Sequence, residues 1–381
     1  MNFKLFSIIL IFCSCNLRFL KQKTLFDETQ IKSMKLKNRV IRSSIIDVSL
    51  INGHLTEEYL KLYDELSKNE VGTILTGATV VTDYNQMDNI DVTRIDKDEY
   101  IEEYKKLTNI VHKNGANIIM QMLHVGINTE ASDKTIYGPI SVQVLLQDRI
   151  SIEMAKEDIL RVEKAFVDGA IRAKKAGFDG IEIHGAHFYL VSTFLSPLFN
   201  KRTDEYGGND ENRARFLIEI IQNIRKAVGN DFIIIAKINT EDGNENGISE
   251  QGFLTACKLA EKAGADIIEV SGTNFKKGKP PVFYEISKKL AEYINIPVIL
   301  LGEIRDLDTI DFVLNNSKIE YIGLARPLLC EPDIVKRWKN GSKDKSKCIS
   351  CFACLKDLRN PECIFKKKEK KKRFNLFFII I

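Results

Sequence analysis

Along the chain, short apolar and mostly β-branched runs alternate with longer segments whose apolar positions recur every three or four residues. The runs are Arg39 to Ile46 (RVIRSSII), Gly72 to Ala78 (GTILTGA), Asn117 to Met122 (NIIMQM), Gly180 to His184 (GIEIH), Phe232 to Ile238 (FIIIAKI), Asp266 to Val270 (DIIEV), Pro297 to Leu301 (PVILL) and Tyr321 to Ala325 (YIGLA). Their length and branching predict strands, and their near-continuous hydrophobicity predicts a parallel sheet covered on both faces. Glu157 to Ala176 places its apolar residues at helical steps and breaks at Gly177. Phe216 to Val228 and Phe253 to Ala263 do the same, with Gly229 and Gly264 as stops. Eight such strands are the number a (β/α)8 TIM barrel requires. A doubly wound open sheet is the alternative, but no GxGxxG follows the first strand. A barrel concentrates its chemistry in the loops at the C-terminal ends of the strands.

Composition narrows the class. The chain of 381 residues is 44% hydrophobic and 28% charged, as in soluble globular proteins. Its net charge of +4 rests largely on one run, Lys366 to Arg373 (KKKEKKKR), so the body is close to neutral and no nucleic-acid surface is expected. The first residues, MNFKLFSIILIFCSCNLRFL, resemble a signal peptide but are too short for a stable membrane span. The expected division is an apolar extension over 1–23, the barrel over 24–340, a cysteine-containing segment over 341–365 and a basic and apolar tail over 366–381. A cytoplasmic enzyme is the expectation, with export as the alternative if the first segment is a true signal. The expected partners are a small-molecule substrate and, in a homo-oligomer, further copies of the chain.

The densest chemistry follows the fourth strand, in IEIHGAHFYL. His184, His187 and Tyr189 lie close together in a chain with only five histidines. With His124 on the preceding strand end they could form a zinc site, as in a metal-dependent barrel hydrolase. However, the first strand has no HxH, and no further carboxylate ligand stands at a strand end. Two neutral imidazoles fit better as a clamp that donates N–H bonds to one substrate oxygen, with the Tyr189 phenol beside them. A clamp and an acid contain no reductant, so a reduction here needs a cofactor. Gly302, and GLAR ending in Ala325 and Arg326, follow the last two strands, where barrels commonly bind phosphate.

HGAHFYLVSTFLSPLFNKRTDEYGG closely resembles the signature of the Old Yellow Enzyme family, the FMN-dependent NADH:flavin oxidoreductases and ene-reductases. LKNRVIRSS, GTILTGA, MQMLHVG and IGLARPLLCEPDIVKRW resemble family segments in the family's order, so the likeness runs from about Thr24 to Cys363. The resemblance implies FMN as cofactor and NAD(P)H as co-substrate. Reduction would then pass in ping-pong fashion to an activated alkene, quinone, nitro compound or free flavin. It implies that His184 and His187 bind the substrate oxygen and that Tyr189 is the proton donor. Gln121 would bond the flavin pyrimidine ring, and Lys237 would lie beside N1 and O2. Ser43, Ser44 and Ala78 would line the isoalloxazine, while Gly302, Ala325 and Arg326 would hold the phosphate. Three departures stand out: Ile127 where the family often has arginine, Ile45 and Ile46 at the first strand end, and Glu303 after Gly302 where a second glycine is usual. A catalytically impaired relative remains the further alternative.

Cys348, Cys351, Cys354 and Cys363 form C-x2-C-x2-C-x8-C, compatible with an iron–sulfur cluster or zinc, with free thiols as the third reading. Longer family members bind a 4Fe–4S cluster after the barrel, but with a longer last gap and a following pyridine-nucleotide domain. Cys257 and Cys330 read as isolated helix-packing residues, and Asn200, Arg202, Asp204 and Tyr206 as residues that fix a loop.

Overall fold

The computed structural model describes residues 22–45, 47, 50–83, 91–129, 135–141, 149–273, 281–356 and 362–367. Ile46, Cys13, Cys15, most of the N-terminal extension and most of the basic tail lie outside them. Eight parallel strands form the barrel: β1 (Val40–Arg42), β2 (Thr73–Leu75), β3 (Asn117–Leu123), β4 (Gly180–Gly185), β5 (Ile233–Asn239), β6 (Ile267–Ser271), β7 (Val298–Leu300) and β8 (Tyr321–Leu324). Each strand pairs with its successor, β8 pairs with β1, and the ring closes. Every predicted strand is present, and the open sheet is excluded.

Seven longer helices connect them: α1 (Glu57–Lys68), α2 (Ile101–Lys113), α3 (Lys156–Lys175), α4 (Asp210–Val228), α5 (Glu250–Ala263), α6 (Tyr284–Tyr293) and α7 (Leu307–Asn316). Side chains of Thr56, Asn209, Ser249 and Asp306 each accept an N–H bond from the first turn of α1, α4, α5 and α7. Asn209 explains why α4 begins well before Phe216. Its first turns are polar, so the cap rather than hydrophobic periodicity sets the start.

Alternation along the strands sorts their side chains. Ile118, Ile183, Ile234, Ile268 and Val270 face outward into the large core beneath the helices. Ile41, Leu75, Ile119, Ile233, Ile235, Ile267, Ile299 and Tyr321 point into the barrel and pack with Ile31, Met34 and Leu36. Those last three belong to an antiparallel hairpin, Thr29–Ile31 paired with Met34–Leu36, which seals the N-terminal end of the barrel. Higher in the same interior, the inward positions turn polar.

Candidate active site

The polar layer begins with Gln121, Glu182, Lys237 and Glu269. Gln121 pairs in register with Glu182 across β3 and β4, as Lys237 does with Glu269 across β5 and β6. The Gln121 amide donates to Glu182 Oε1 at 2.6 Å and accepts from Ser44 Oγ at 2.8 Å. Lys237 Nζ lies 3.2 Å from Glu269 Oε2, and Ser43 donates to Glu269 Oε1 at 2.5 Å. Two carboxyls in one dry layer cannot both ionise cheaply. Burial, with Glu269 beside it, pushes the Glu182 carboxyl well above the usual range, so it keeps its proton. Burial also works against charge on Glu269, but Lys237 and the bonds from Glu182, Ser43 and Lys237 hold it below that range. The layer is thus a protonated carboxyl beside an ammonium–carboxylate pair. Lys237 is therefore not a lone cation.

β4 carries His184 inward above this layer. The chain then turns sharply, with His187 and Phe188 both in the left-handed region at φ 58° and 61°. That turn brings the second imidazole back beside the first. Their rings stand perpendicular with centroids 5.0 Å apart, and the Tyr189 ring is 4.9 Å from His184. Asn239 Oδ1 accepts the His187 backbone N–H at 3.3 Å, and Ser271 Oγ lies 2.9 Å from His187 Nε2. Burial, then the Lys237 charge, pulls the His187 pKa down to about 3. Burial, then His187 and Lys237, hold that of His184 well below the ordinary imidazole range. Both are neutral imidazoles at ordinary pH. His184 Nδ1 is buried without a hydrogen-bond partner, and such a group is suited to a ligand oxygen.

At the other side, Gly302 (φ 109°) follows β7, and any Cβ there would fall 2.9 Å from the Phe283 ring. Arg326, just past β8, stacks its guanidinium on Phe352 at 4.2 Å, and its buried Nη1 has no partner.

These pieces surround one cavity of about 350 Å³ at the C-terminal mouth of the barrel. Ser43, Ser44, Ala78, Gln121, His184, His187, Tyr189, Lys237, Gly302, Ala325 and Arg326 all line it. Residues chosen from separate strand ends therefore share one space. The sequence profile of the NADH:flavin oxidoreductase / NADH oxidase family matches residues 24–345. The chain belongs to that family.

An NADH oxidase of Thermoanaerobacter brockii is 31% identical over 350 residues, covering 87% of this chain and 53% of that one. The chain spans about half the length of the curated relatives it matches. Among solved structures, a 2-naphthoyl-CoA reductase complex superposes with a TM-score of 0.78 at 23% identity, covering 84% of this chain and 52% of that one. Morphinone reductase in complex with tetrahydroNAD gives 0.73 at 20% identity, covering 84% and 92%. At such identities the superpositions show the shared barrel.

Within this NADH:flavin oxidoreductase barrel the departures from the family pattern have physical correlates. Ile127 is buried with Ile136 and Phe199 in a small apolar cluster, away from the cavity lining. Gly126, at φ 64°, would place a Cβ 2.9 Å from the Leu190 backbone, so the preceding turn requires glycine. His124 is buried, its Nδ1 accepts the Gly126 N–H at 3.2 Å, and it does not line the cavity. Asn200 donates to the carbonyls of Phe194 and Tyr206, both at 2.7 Å, and Arg202 to those of Pro139 and Met154. These bonds bear out the loop-fixing reading.

Cys348, Cys351, Cys354 and Cys363 line a second, smaller hollow with Arg326. Among the described residues, no three His, Cys, Asp or Glu side chains are arranged to hold a metal in common. One reading needs correction: Cys330 is not isolated. Burial, then a hydrogen bond and the charge of Cys363, raise its pKa, which places it against the cluster. The short helix Arg326–Cys330 carries it there, a proximity that linear spacing conceals. Cys257 is fully buried in the helical core as expected. Sequence reasoning also missed the Glu182–Glu269 pair and the Ser350 and Leu355 contribution to the cavity wall. Alternation in GIEIH and IIEVS carried the signal for the carboxyls, but only barrel closure shows that they meet.

Proposed function

We propose that this chain is an FMN-dependent oxidoreductase that takes electrons from NAD(P)H and reduces a small acceptor bearing an activating oxygen. The acceptor would be an activated alkene, a quinone, a nitro compound or a free flavin. The observation that carries this is the gathering of all eleven sequence-chosen residues on one cavity. Its volume suits a cofactor site, where pockets run from roughly 300 to 1,000 Å³.

The residues present fit FMN. The unpartnered Arg326 Nη1 suits an anion at one end, and Gly302 leaves space where a Cβ would intrude. Gln121 retains one amide hydrogen and one lone pair for ring heteroatoms, and Ser43, Ser44 and Ala78 form the adjoining wall. When bound, FMN supplies two-electron exchange between NAD(P)H and the acceptor. Lys237 places an ammonium at the cavity floor. His184 and His187, being neutral, donate N–H bonds to the acceptor oxygen and polarise it. Tyr189 delivers a proton to the α-carbon of an alkene.

A 4Fe–4S cluster is supported by the cysteine spacing and the shared hollow, but the thiols as placed do not converge on a metal. No electron step is assigned to it. Iron and acid-labile sulfide analysis after anaerobic purification separates cluster from free thiols.

The main reading is tested by absorption spectroscopy of the purified protein reconstituted with FMN. A flavin band that co-elutes with the protein and is bleached by NAD(P)H is expected. A colourless product carrying stoichiometric zinc would sink the reading in favour of a metal-dependent hydrolase.

A further inference from the structure

The loop after β7 passes through Gly302 into Glu303, whose φ is 61°. A left-handed backbone is free for glycine and costly for glutamate. The turn aims the Glu303 side chain into the cavity wall. That side chain is 7% exposed, and its Oε1 makes no hydrogen bond but forms a long ion pair with Arg305. The facing counter-charge is Arg305, whose Nη2 stands 3.5 Å away and also bonds Ser350 Oγ. Arg305 Nε is likewise buried and unpartnered, as is Arg326 Nη1. This end of the cavity therefore holds two guanidinium groups and one carboxylate, none of them fully satisfied.

A phosphate monoester dianion offers oxygens and no donor hydrogen. It would satisfy the guanidinium groups but meet the Glu303 carboxylate as a like charge in a poorly hydrated space. A hydroxyl can donate to the carboxylate oxygen that the Arg305 ion pair leaves without a hydrogen bond, and accept from an arginine. The lone acid thus works against the phosphate that the two bases attract.

We propose that Glu303 is a specificity-determining residue, which lowers the preference of this site for a 5′-phosphorylated flavin over the unphosphorylated one. The flavin is consequently held loosely at this end, and the site accepts a ribityl 5′-hydroxyl more readily than Arg305 and Arg326 alone would allow. This rests on the flavin reading given above.

The test is titration of flavin-stripped protein with FMN and with riboflavin, following flavin fluorescence in the wild type, Glu303→Gln and Glu303→Gly. Glu303→Gln keeps the side-chain shape and removes the charge. It should tighten FMN at least about tenfold and leave riboflavin unchanged or weaker. Glu303→Gly also relieves the left-handed backbone and should shift FMN the same way. Added salt should narrow the difference. An FMN-to-riboflavin affinity ratio equal in all three proteins overturns the proposal. So does weaker FMN binding in both variants, which would make Glu303 a support of the phosphate site. Failure of all three proteins to bind either flavin removes the flavin reading itself, and the proposal with it.

Discussion

The two ends of the barrel interior are made from the same eight strands by opposite rules. At the N-terminal end, inward positions are isoleucine, leucine and a tyrosine, closed by Ile31, Met34 and Leu36 of the hairpin. At the C-terminal end they are Gln121, Glu182, His184, Lys237 and Glu269, of which Gln121, His184 and Lys237 line a cavity with unpartnered polar atoms and left-handed backbone at His187, Phe188 and Glu303. One end is a largely apolar packed core, and the other concentrates polar groups and left-handed backbone. The difference separates stability from function along a single axis, and substitutions should divide accordingly.

The largest expected effect is at Tyr189. Tyr189→Phe should slow alkene reduction by about 10²- to 10⁴-fold while leaving flavin reduction by NAD(P)H nearly intact. Stopped-flow measurement of the two half-reactions checks it, and equal losses in both would remove Tyr189 from the proton-donor role. Next comes the packed end. Ile235→Ala should cost about 2–5 kcal/mol of folding stability with little change in flavin affinity. Denaturant unfolding and flavin titration together show whether the ends are separable, and a coupled loss would break the comparison.

A third effect is acid sensitivity. His124, His184 and His187 all stand toward the cavity end, and burial is the first cause of their low pKa values, about 3 for His124 and His187. Because the folded values lie below the ordinary 6.5, folding favours the neutral form. Their contribution is complete above about pH 6.5 and is lost as pH falls toward 3, at roughly 1.4 kcal/mol per pH unit for each histidine. Denaturant unfolding followed across that range should give a shallower slope for His124→Gln. An unchanged slope would show that other groups carry the sensitivity. The smallest effect is at Ser271. Ser271→Ala removes the hydroxyl beside His187 Nε2, and should raise KM for a carbonyl acceptor several-fold, on the scale of one hydrogen bond of about 1 kcal/mol. An unchanged KM would mean that the turn alone orients the imidazole.

The same division governs what could be read from the sequence. Strands were legible because β-branched runs recur between amphipathic segments, and the strand ends then pointed to His184, Lys237 and Arg326. Glu182 and Glu269 were invisible as a pair because they are 87 positions apart by number alone and meet only when β4, β5 and β6 lie side by side. The hairpin seal was equally hidden, since Thr29–Ile31 and Met34–Leu36 are too short to give a periodic signal. Glu303 was legible as a departure, but its direction depended on a backbone angle that letters do not carry.

The hairpin seal also bears on traffic. With Ile31, Met34 and Leu36 packed under the barrel interior, a reactant bound for the polar layer arrives from the mouth, past His187 and Tyr189. Under the proposed function, donor and acceptor would both approach through that mouth. If the proposed reaction holds, an excess of either would obstruct its counterpart.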